Sequence, residues 1–302
     1  MFQLKSYQNK TLSALEGYLK QARIVGAKEA YFTVKGNNNI PYHVIDDLED
    51  TPYVCLRLPT GAGKTLLSAY SIKIIAQTFI EKDFPMVIWF TPTTTIKEQT
   101  LKTLKNPKHP NREILDLAFN GNVAIFDIDD FANIRPHDIK NKTCIFVSTI
   151  QSFNVRNTEK RNIYAHNENL EPHFVNIPQP FIPNLEKIEA GQENEGKVKN
   201  SFANLLNINN PIVIVDEAHK AVTELNRKIM RRINPSCILE FTATPNEKES
   251  NVLYRVNAIE LKAEDMIKLP IILTENQTWQ QSLTAGTFKL LMQQRKRKPP
   301  LE

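Results

Sequence analysis

Two glycines, a lysine and a threonine lie close together near residue 60, with the spacing of a phosphate-binding loop. Gly61 and Gly63 give the backbone the freedom that a tight turn needs, and N–H groups of such a turn can point at phosphate oxygens. Lys64 supplies a positive charge, and the hydroxyl of Thr65 suits Mg²⁺. The full signature has a further glycine where this chain has Leu58. The spacing predicts a site for a nucleoside triphosphate, formed by Pro59, Thr60, Gly61, Ala62, Gly63, Lys64 and Thr65.

An acidic pair follows another apolar run further along the chain. Asp216 and Glu217 come directly after the run from Ile212 to Val215, and carboxylate oxygens are ligands that Mg²⁺ prefers. We expect Asp216 to hold Mg²⁺ through water and Glu217 to act as the general base that polarises an attacking water. Acidic pairs at strand ends also cap helices, so this assignment depends on the phosphate loop upstream.

These residues need a sheet that brings distant segments of the chain to one edge. Apolar runs alternate with helix-like segments, and this alternation predicts a parallel sheet with right-handed crossovers. In such a sheet the ligand-contacting residues collect at the carboxyl ends of the strands. The predicted strands are Val54–Leu58, Met86–Thr91, Val123–Phe126, Cys144–Ile150, Ile212–Val215 and Ile238–Phe241; the predicted helices run from Thr65 to about Ile80 and from about Thr95 to Leu104.

The order of three motifs resembles a known family. The phosphate loop, the box Asp216-Glu217-Ala218-His219 and the segment Thr242-Ala243-Thr244 resemble motifs I, II and III of superfamily 2 helicases and translocases. The chain most resembles the N-terminal motor domain of the restriction (Res) subunit of type III restriction enzymes. The resemblance implies an α/β fold, a RecA-like P-loop NTPase domain with a mostly parallel sheet and helices on both faces. Weaker features that favour it are Tyr7-Gln8, Phe90 to Thr93, Glu98 to Thr100 and Val147 to Phe153.

The resemblance also implies roles for residues outside the phosphate loop and the acidic pair. Gln8 would read the adenine edge; the alternative is a surface glutamine on an N-terminal helix. His219, Thr242 and Thr244 would couple hydrolysis to a second motor domain. The alternatives are a structural histidine in a first helical turn and a strand that ends before a turn at Pro245. Contacts with a sugar–phosphate backbone would come from Thr91, Pro92, Thr93, Ser148, Thr149 and Gln151. The alternative is that these are ordinary polar loop residues with no binding role.

A division of the chain follows from the same resemblance. We expect residues 1–262 to form the ATP-binding motor domain and residues 263–302 to form a connecting segment with a basic tail. The segment from about 154 to 199 reads as an insertion that packs on the surface of the motor, because apolar residues occur among its prolines and asparagines. Too few residues follow Thr244 for a typical domain, so we expect the second RecA-like domain to be absent. The chain shows no acidic pair with a following lysine in the nuclease arrangement, so we expect a nuclease domain to be absent as well.

Composition gives weaker constraints. The 302 residues are 41% hydrophobic, and their net charge of +5 is compatible with a nucleic-acid partner without requiring one. The chain has no apolar stretch long enough to span a membrane and no signal peptide, so we expect a soluble, cytoplasmic protein. The three cysteines, Cys55, Cys144 and Cys237, lie in apolar runs without metal-binding spacing, and we expect them to pack in the core.

The sequence therefore predicts the ATP-binding half of a DNA translocase or helicase, an ATP hydrolase that uses Mg²⁺ and ATP. The expected partners are DNA, a second RecA-like domain and a methyltransferase (modification) subunit. Two alternatives stay open: a non-catalytic, nucleotide-binding regulatory fragment, and an RNA-dependent helicase of the same superfamily, since nothing here recognises a 2′-hydroxyl. Without the second domain, we expect the chain to bind Mg·ATP and to hydrolyse it very slowly.

Overall fold

A parallel sheet is the centre of the fold. The computed structural model describes residues 3–37, 39–153, 163–189, 191, 194–217, 224–246 and 248–264. Within these residues the strands are β1 (Tyr53–Arg57), β2 (Met86–Thr91), β3 (Val123–Asp127), β4 (Thr143–Thr149), β5 (Ile212–Asp216), β6 (Cys237–Thr242) and β7 (Val252–Arg255). They form one sheet in the order β3-β4-β2-β5-β6-β1-β7, and each of its pairings is parallel.

Helices cover both faces of the sheet, because successive strand side chains point to opposite sides. The helices are α1 (Ser6–Val25), α2 (Ala27–Lys35), α3 (Lys64–Ile75), α4 (Thr94–Lys105), α5 (Pro110–Ala118), α6 (Pro136–Asn141), α7 (Phe202–Asn209), α8 (Glu224–Ile233) and α9 (Ala258–Ala263). On β2, Trp89 packs in one buried cluster with α1, α3, α4 and α5, while Ile88 packs in the other with α7 and α8. The arrangement is a RecA-like α/β fold, as predicted.

Most of the predicted elements are confirmed to within a residue or two. The predicted helix that starts at Thr65 begins one residue earlier, at Lys64, and continues beyond Ile75 as a π-helical turn over Ala76–Ile80. All three cysteines are buried and free, as expected. Strand β7 was not predicted, because its short run pairs with β1 alone and leaves the side chain of Arg255 exposed.

The predicted insertion is described from residue 163 onwards, apart from residues 190, 192 and 193. It contains short 3₁₀ turns over Glu168–His173 and Gln179–Asn184. The Arg232 guanidinium on α8 lies 3.4 Å from the centre of the Tyr164 ring, and its Nε donates a 2.6 Å hydrogen bond to Glu186. This part of the segment packs on the helices that cover the sheet, because cation–π and charged contacts join it to Arg232.

The contacts within the chain separate Met1–Met266 from Ile267–Glu302. The second unit contains the predicted basic tail and lies outside the described residues. Among the described helices, none combines the length and the apolar character that crossing a membrane requires.

Candidate functional site

The phosphate loop lies between the end of β1 and the start of α3. Gly61 and Gly63 have φ values of 84° and 81°, a left-handed conformation that glycine adopts without strain. Leu58 is fully buried, and its N–H donates a 2.9 Å hydrogen bond to the Thr242 carbonyl. Leu58, which stands where the full signature has a glycine, therefore extends the pairing of β1 with β6 by one residue. The tight turn begins after Leu58.

Helix α1 supports this loop from behind. The Tyr7 hydroxyl and the Gln8 side-chain amide both donate to the Ala62 carbonyl, at 3.0 and 3.2 Å. Gln8 Oε1 accepts a hydrogen bond from the Lys5 N–H at 2.9 Å. Gln8 is only 2% exposed, so the alternative of a surface glutamine is wrong. The predicted contact between Gln8 and adenine stays a prediction.

The loop lysine and the acidic pair meet at the carboxyl edge of the sheet. Lys64 Nζ lies 2.5 Å from Glu217 Oε1, in an ion pair whose side chains are 10% and 25% exposed. Glu217 has a φ of 57°, an unusual backbone conformation for a residue other than glycine, and its N–H bonds to the Phe241 carbonyl at 2.8 Å. Unusual backbone at the end of a strand is frequent at functional sites, because it aims a side chain out of the ladder.

Asp216 is the buried member of the acidic pair. Burial raises the pKa of its carboxyl group to about 6, although the positive charge of Lys64 acts in the opposite direction. Its Oδ1 atom is buried and makes no hydrogen bond. A buried carboxylate oxygen without a donor is costly to ionise, and a cation beside it would remove that cost.

A cavity of about 490 Å³ joins these residues. Three segments line it: the phosphate loop with the start of α3, the acidic pair, and α4 with the residue that follows β2. The cavity brings the predicted lysine, the two predicted Mg²⁺ ligands and the predicted general base together. Its lining residues are Thr60, Gly61, Gly63, Lys64, Thr65, Pro92, Ile96, Gln99, Thr100, Thr103, Asp216 and Glu217.

The α4 wall of this cavity was not assigned from the sequence. Ile96, Gln99, Thr100 and Thr103 have the spacing of one helical face, and that spacing is the signal that could have found them. The spacing shows that these residues share one face of α4. It does not show that this face lies next to the phosphate loop.

Mg²⁺ fits two of the cavity residues. The Thr65 hydroxyl and the Asp216 carboxylate are hard oxygen ligands, and the unsatisfied Oδ1 of Asp216 is of the kind that a cation would satisfy. In the described part of the chain, no group of three or more His, Cys, Asp or Glu side chains could hold a metal ion. A site of two protein ligands suits Mg²⁺, which completes its shell with water and substrate phosphates.

The segment after β6 is tied to the loop by Arg57, a residue that the sequence analysis did not assign. Thr242 is fully buried and its Oγ1 accepts the Thr244 N–H at 3.2 Å. Arg57 Nε donates to the Ala243 carbonyl at 3.3 Å. The structure therefore connects the predicted coupling segment to the strand that carries the phosphate loop. The other predicted coupling residue, His219, lies outside the described residues.

The predicted nucleic-acid contacts divide into buried and surface residues. Thr91, Ser148 and Thr149 are buried, and the Thr91 hydroxyl donates to the Ser148 carbonyl at 3.1 Å. The Thr91 hydroxyl thus joins β2 to β4, whereas the Ser148 hydroxyl donates to the Thr149 carbonyl and the Thr149 hydroxyl lies 3.0 Å from Ser152 Oγ. The Thr93 hydroxyl accepts the Ile96 N–H at 3.3 Å, as the N-cap of α4. Pro92 is partly exposed, and Thr93 and Gln151 are exposed.

Comparison with known families decides which motor this is. The family model described as "Type III restriction enzyme, res subunit" matches residues 1–247. The chain belongs to this family. The three motifs that resemble helicase motifs I to III all lie within the matched residues. The predicted resemblance is therefore confirmed.

Two solved structures of other proteins are similar to this res-subunit chain. A nuclease-deletion mutant of the Type ISP restriction-modification enzyme LlaGI, in complex with a DNA substrate mimic, is 13% identical, with a TM-score of 0.40 over 99% of this chain and 23% of that chain. The SWI2/SNF2 ATPase core of Sulfolobus solfataricus, in complex with dsDNA, is 15% identical, with a TM-score of 0.36 over 82% of this chain and 34% of that chain. The res-subunit chain thus spans 23% of the first protein and 34% of the second. A comparison with curated proteins found no match.

Proposed function

We propose that this chain is the nucleotide-binding half of an ATP-driven DNA translocase or helicase motor. The observation that carries the proposal is the cavity in which Lys64, Thr65, Asp216 and Glu217 meet. These side chains come from two segments that are more than a hundred residues apart, and the order of the strands joins them at one edge. Three free, buried cysteines agree with a reducing, cytoplasmic environment.

The four side chains divide the chemistry of hydrolysis among them. Lys64 neutralises the β- and γ-phosphates, and the first N–H groups of α3 contact phosphate oxygens. Thr65 and, through water, Asp216 would hold Mg²⁺, which would supply further charge neutralisation when it is bound with the nucleotide. Glu217 takes a proton from a water molecule as the water oxygen bonds to the γ-phosphorus. The bond between that phosphorus and the ADP oxygen then breaks.

One component of phosphoryl transfer comes from elsewhere. Among the described residues that line the cavity, the positive charge is that of Lys64, and no arginine is present. An arginine supplied by a partner accelerates related phosphoryl transfers by about 10³ to 10⁵. We infer that a second motor domain supplies this arginine, so that the chain alone binds Mg·ATP and turns it over very slowly.

DNA is the proposed track of this motor, and a modification methyltransferase is its proposed partner subunit. Membership of the res-subunit family supports both proposals. Exposed Thr93 and Gln151 at the ends of neighbouring strands suit contacts with a sugar–phosphate backbone, which do not depend on base identity. RNA is the second candidate track. Contacts with the sugar–phosphate backbone distinguish RNA from DNA only when they include the 2′-hydroxyl group.

The experiment is calorimetry with Mg·ATP together with ATP turnover in the presence and absence of duplex DNA or RNA. The variants are Lys64→Ala and Glu217→Gln, with Lys142→Ala as the control on a lysine outside the cavity. We expect binding without rapid turnover in the wild type and loss of binding in Lys64→Ala. Unchanged binding in Lys64→Ala would sink the assignment of the loop. Fast turnover stimulated by nucleic acid and lost in Glu217→Gln would contradict the need for a second domain.

A further inference from the structure

Helix α4 joins two parts of the carboxyl edge of the sheet. One of its faces, with Ile96, Gln99 and Thr100, lines the nucleotide cavity. Another face packs on β2, β3 and β4, and the predicted nucleic-acid segments lie at the ends of β2 and β4. The position of α4 on the sheet therefore sets the shape of the cavity.

The N-terminal half of α4 is held by a charge. Its C-terminal half is anchored by the buried side chains of Leu101 and Leu104. The first buried side chain of the helix is that of Lys97, which is 8% exposed. Lys97 Nζ contacts Asp127 Oδ1 at 2.7 Å and Asp129 Oδ2 at 3.4 Å, both at the carboxyl end of β3. A buried lysine is retained in a fold only where such partners compensate its desolvation.

The charges around Lys97 favour its contact with Asp127. Burial acts to lower the pKa of Lys97, but the hydrogen bond with Asp127 and the charges of both aspartates outweigh it and raise the pKa. Asp127 Oδ1 also accepts the Asp129 N–H at 3.2 Å, which fixes the carboxylate that Lys97 contacts. The ion pair thus joins a rigid strand end to the turn of α4 that lies beside the cavity.

We propose that Lys97 is a positioning residue for the nucleotide site: its ion pair with Asp127 holds the N-terminal half of α4 so that Ile96, Gln99 and Thr100 face the phosphate loop. This inference rests on the proposed function, because it assigns the α4 wall to the binding of Mg·ATP. Ile96 and Thr100 flank Lys97 at one and three residues, so a tilt of this turn moves both. The adjacent N-cap residue, Thr93, moves with the same turn and belongs to the predicted nucleic-acid edge.

The test is a titration with Mg·ATP and a thermal unfolding curve for Lys97→Met, Asp127→Asn and Lys97→Arg. The matched control is Lys142→Met. Lys142 Nζ contacts Asp138 Oδ1 at 2.9 Å, and this ion pair does not line the cavity. Lys64→Ala, measured in the same titration, tests the site itself. We expect affinity about tenfold weaker in Lys97→Met, the scale seen when groups that orient ligands are removed. We expect a smaller loss in Asp127→Asn, recovery in Lys97→Arg and no change in Lys142→Met.

Two results would overturn the role of Lys97. One is unchanged affinity of the folded Lys97→Met protein, even where its unfolding temperature falls, since that pattern marks a purely structural ion pair. The other is an equal loss in Lys142→Met. Should Lys97→Met fail to fold, Asp127→Asn decides, because it keeps the hydrogen-bond acceptor and removes the charge. Binding that is absent in the wild type or unaffected by Lys64→Ala contradicts the proposed function itself, and so the two failures are distinguishable.

Discussion

Lys64 Nζ and Glu217 Oε1 lie 2.5 Å apart, so the charge assigned to phosphate binding and the carboxylate assigned to proton transfer neutralise each other. A phosphate group that contacts Lys64 competes with Glu217 for the same ammonium group. The pair therefore opposes nucleotide binding while it places the general base close to the phosphates.

This competition predicts that Glu217→Gln binds Mg·ATP more tightly than the wild type. An ion pair of this exposure contributes roughly 1 kcal/mol, which corresponds to an affinity gain of about fivefold. Calorimetry measures the gain, and Glu98→Gln, on the exposed side of α4, is the control. Equal or weaker binding by Glu217→Gln would show that the pair does not compete with phosphate.

The loop glycines differ in a way that a pair of alanine variants can resolve. Both have left-handed backbone, but a Cβ atom on Gly63 would lie 2.8 Å from Gln8 Nε2, while one on Gly61 would meet no atom within 4 Å. We expect Gly61→Ala to lower the free energy of unfolding by about 1 to 2 kcal/mol through backbone strain alone. Gly63→Ala should add roughly 1 kcal/mol, because the end of the Gln8 side chain must move and give up its hydrogen bond to the Ala62 carbonyl.

Chemical denaturation of the two variants measures this difference. The double variant Gly63→Ala with Gln8→Ala removes the atom that the Cβ meets and keeps the backbone strain. It should therefore recover part of the loss that Gly63→Ala shows beyond Gly61→Ala. Equal effects of the two single variants would mean that Gln8 moves away at no cost.

A buried acid in the centre of the sheet predicts a pH dependence of stability. Burial raises the pKa of Glu240 to about 7 from a reference value of 4.5, although the hydrogen bond from the Tyr53 hydroxyl, at 2.8 Å, acts in the opposite direction. Because the folded protein binds this proton more tightly than the unfolded chain, the stabilisation is complete below about pH 4.5. It is lost as the pH rises through about 7.

The loss amounts to roughly 3 kcal/mol, and Glu240→Gln should remove this part of the pH dependence. The Gln side chain still accepts the hydrogen bond from Tyr53 and has no proton to release. Denaturation curves between pH 5 and 8 give the free energy of unfolding of each variant, with Glu168→Gln on the exposed insertion as the control. A slope that persists in Glu240→Gln would place its origin in other groups.

The sheet and the loop could be predicted because their signals are local. Strand β2 has a continuous apolar run with defined ends, and the loop glycines lie directly before Lys64. Parallel connections then bring Asp216 to the same edge without further information. The order of motifs along the chain was thus enough to place Lys64, Asp216 and Glu217 in one cavity, although it did not identify the α4 wall.

The orientation of single side chains required the register of the strands. The resemblance implies that Thr91 and Ser148 contact a sugar–phosphate backbone, and this contact stays a prediction. The two strands pair so that both residues are buried and the Thr91 hydroxyl donates to the Ser148 carbonyl. The sequence around Lys97 does not indicate that this lysine is buried. Its burial depends on Asp127, a strand end that lies thirty positions away in the sequence and next to it in the fold.

Gln8 offers the last prediction, because its side chain contacts the phosphate loop. Its amide donates to the Ala62 carbonyl and accepts from the Lys5 N–H, so its removal should loosen the turn that cradles the phosphates. We expect Gln8→Ala to weaken the binding of both Mg·ATP and inorganic tripolyphosphate, each by about fivefold, the scale of one buried hydrogen bond. Asn9→Ala, on the exposed side of the same helix, is the control. A loss confined to ATP would contradict support of the loop by Gln8 and would instead measure the contact with adenine.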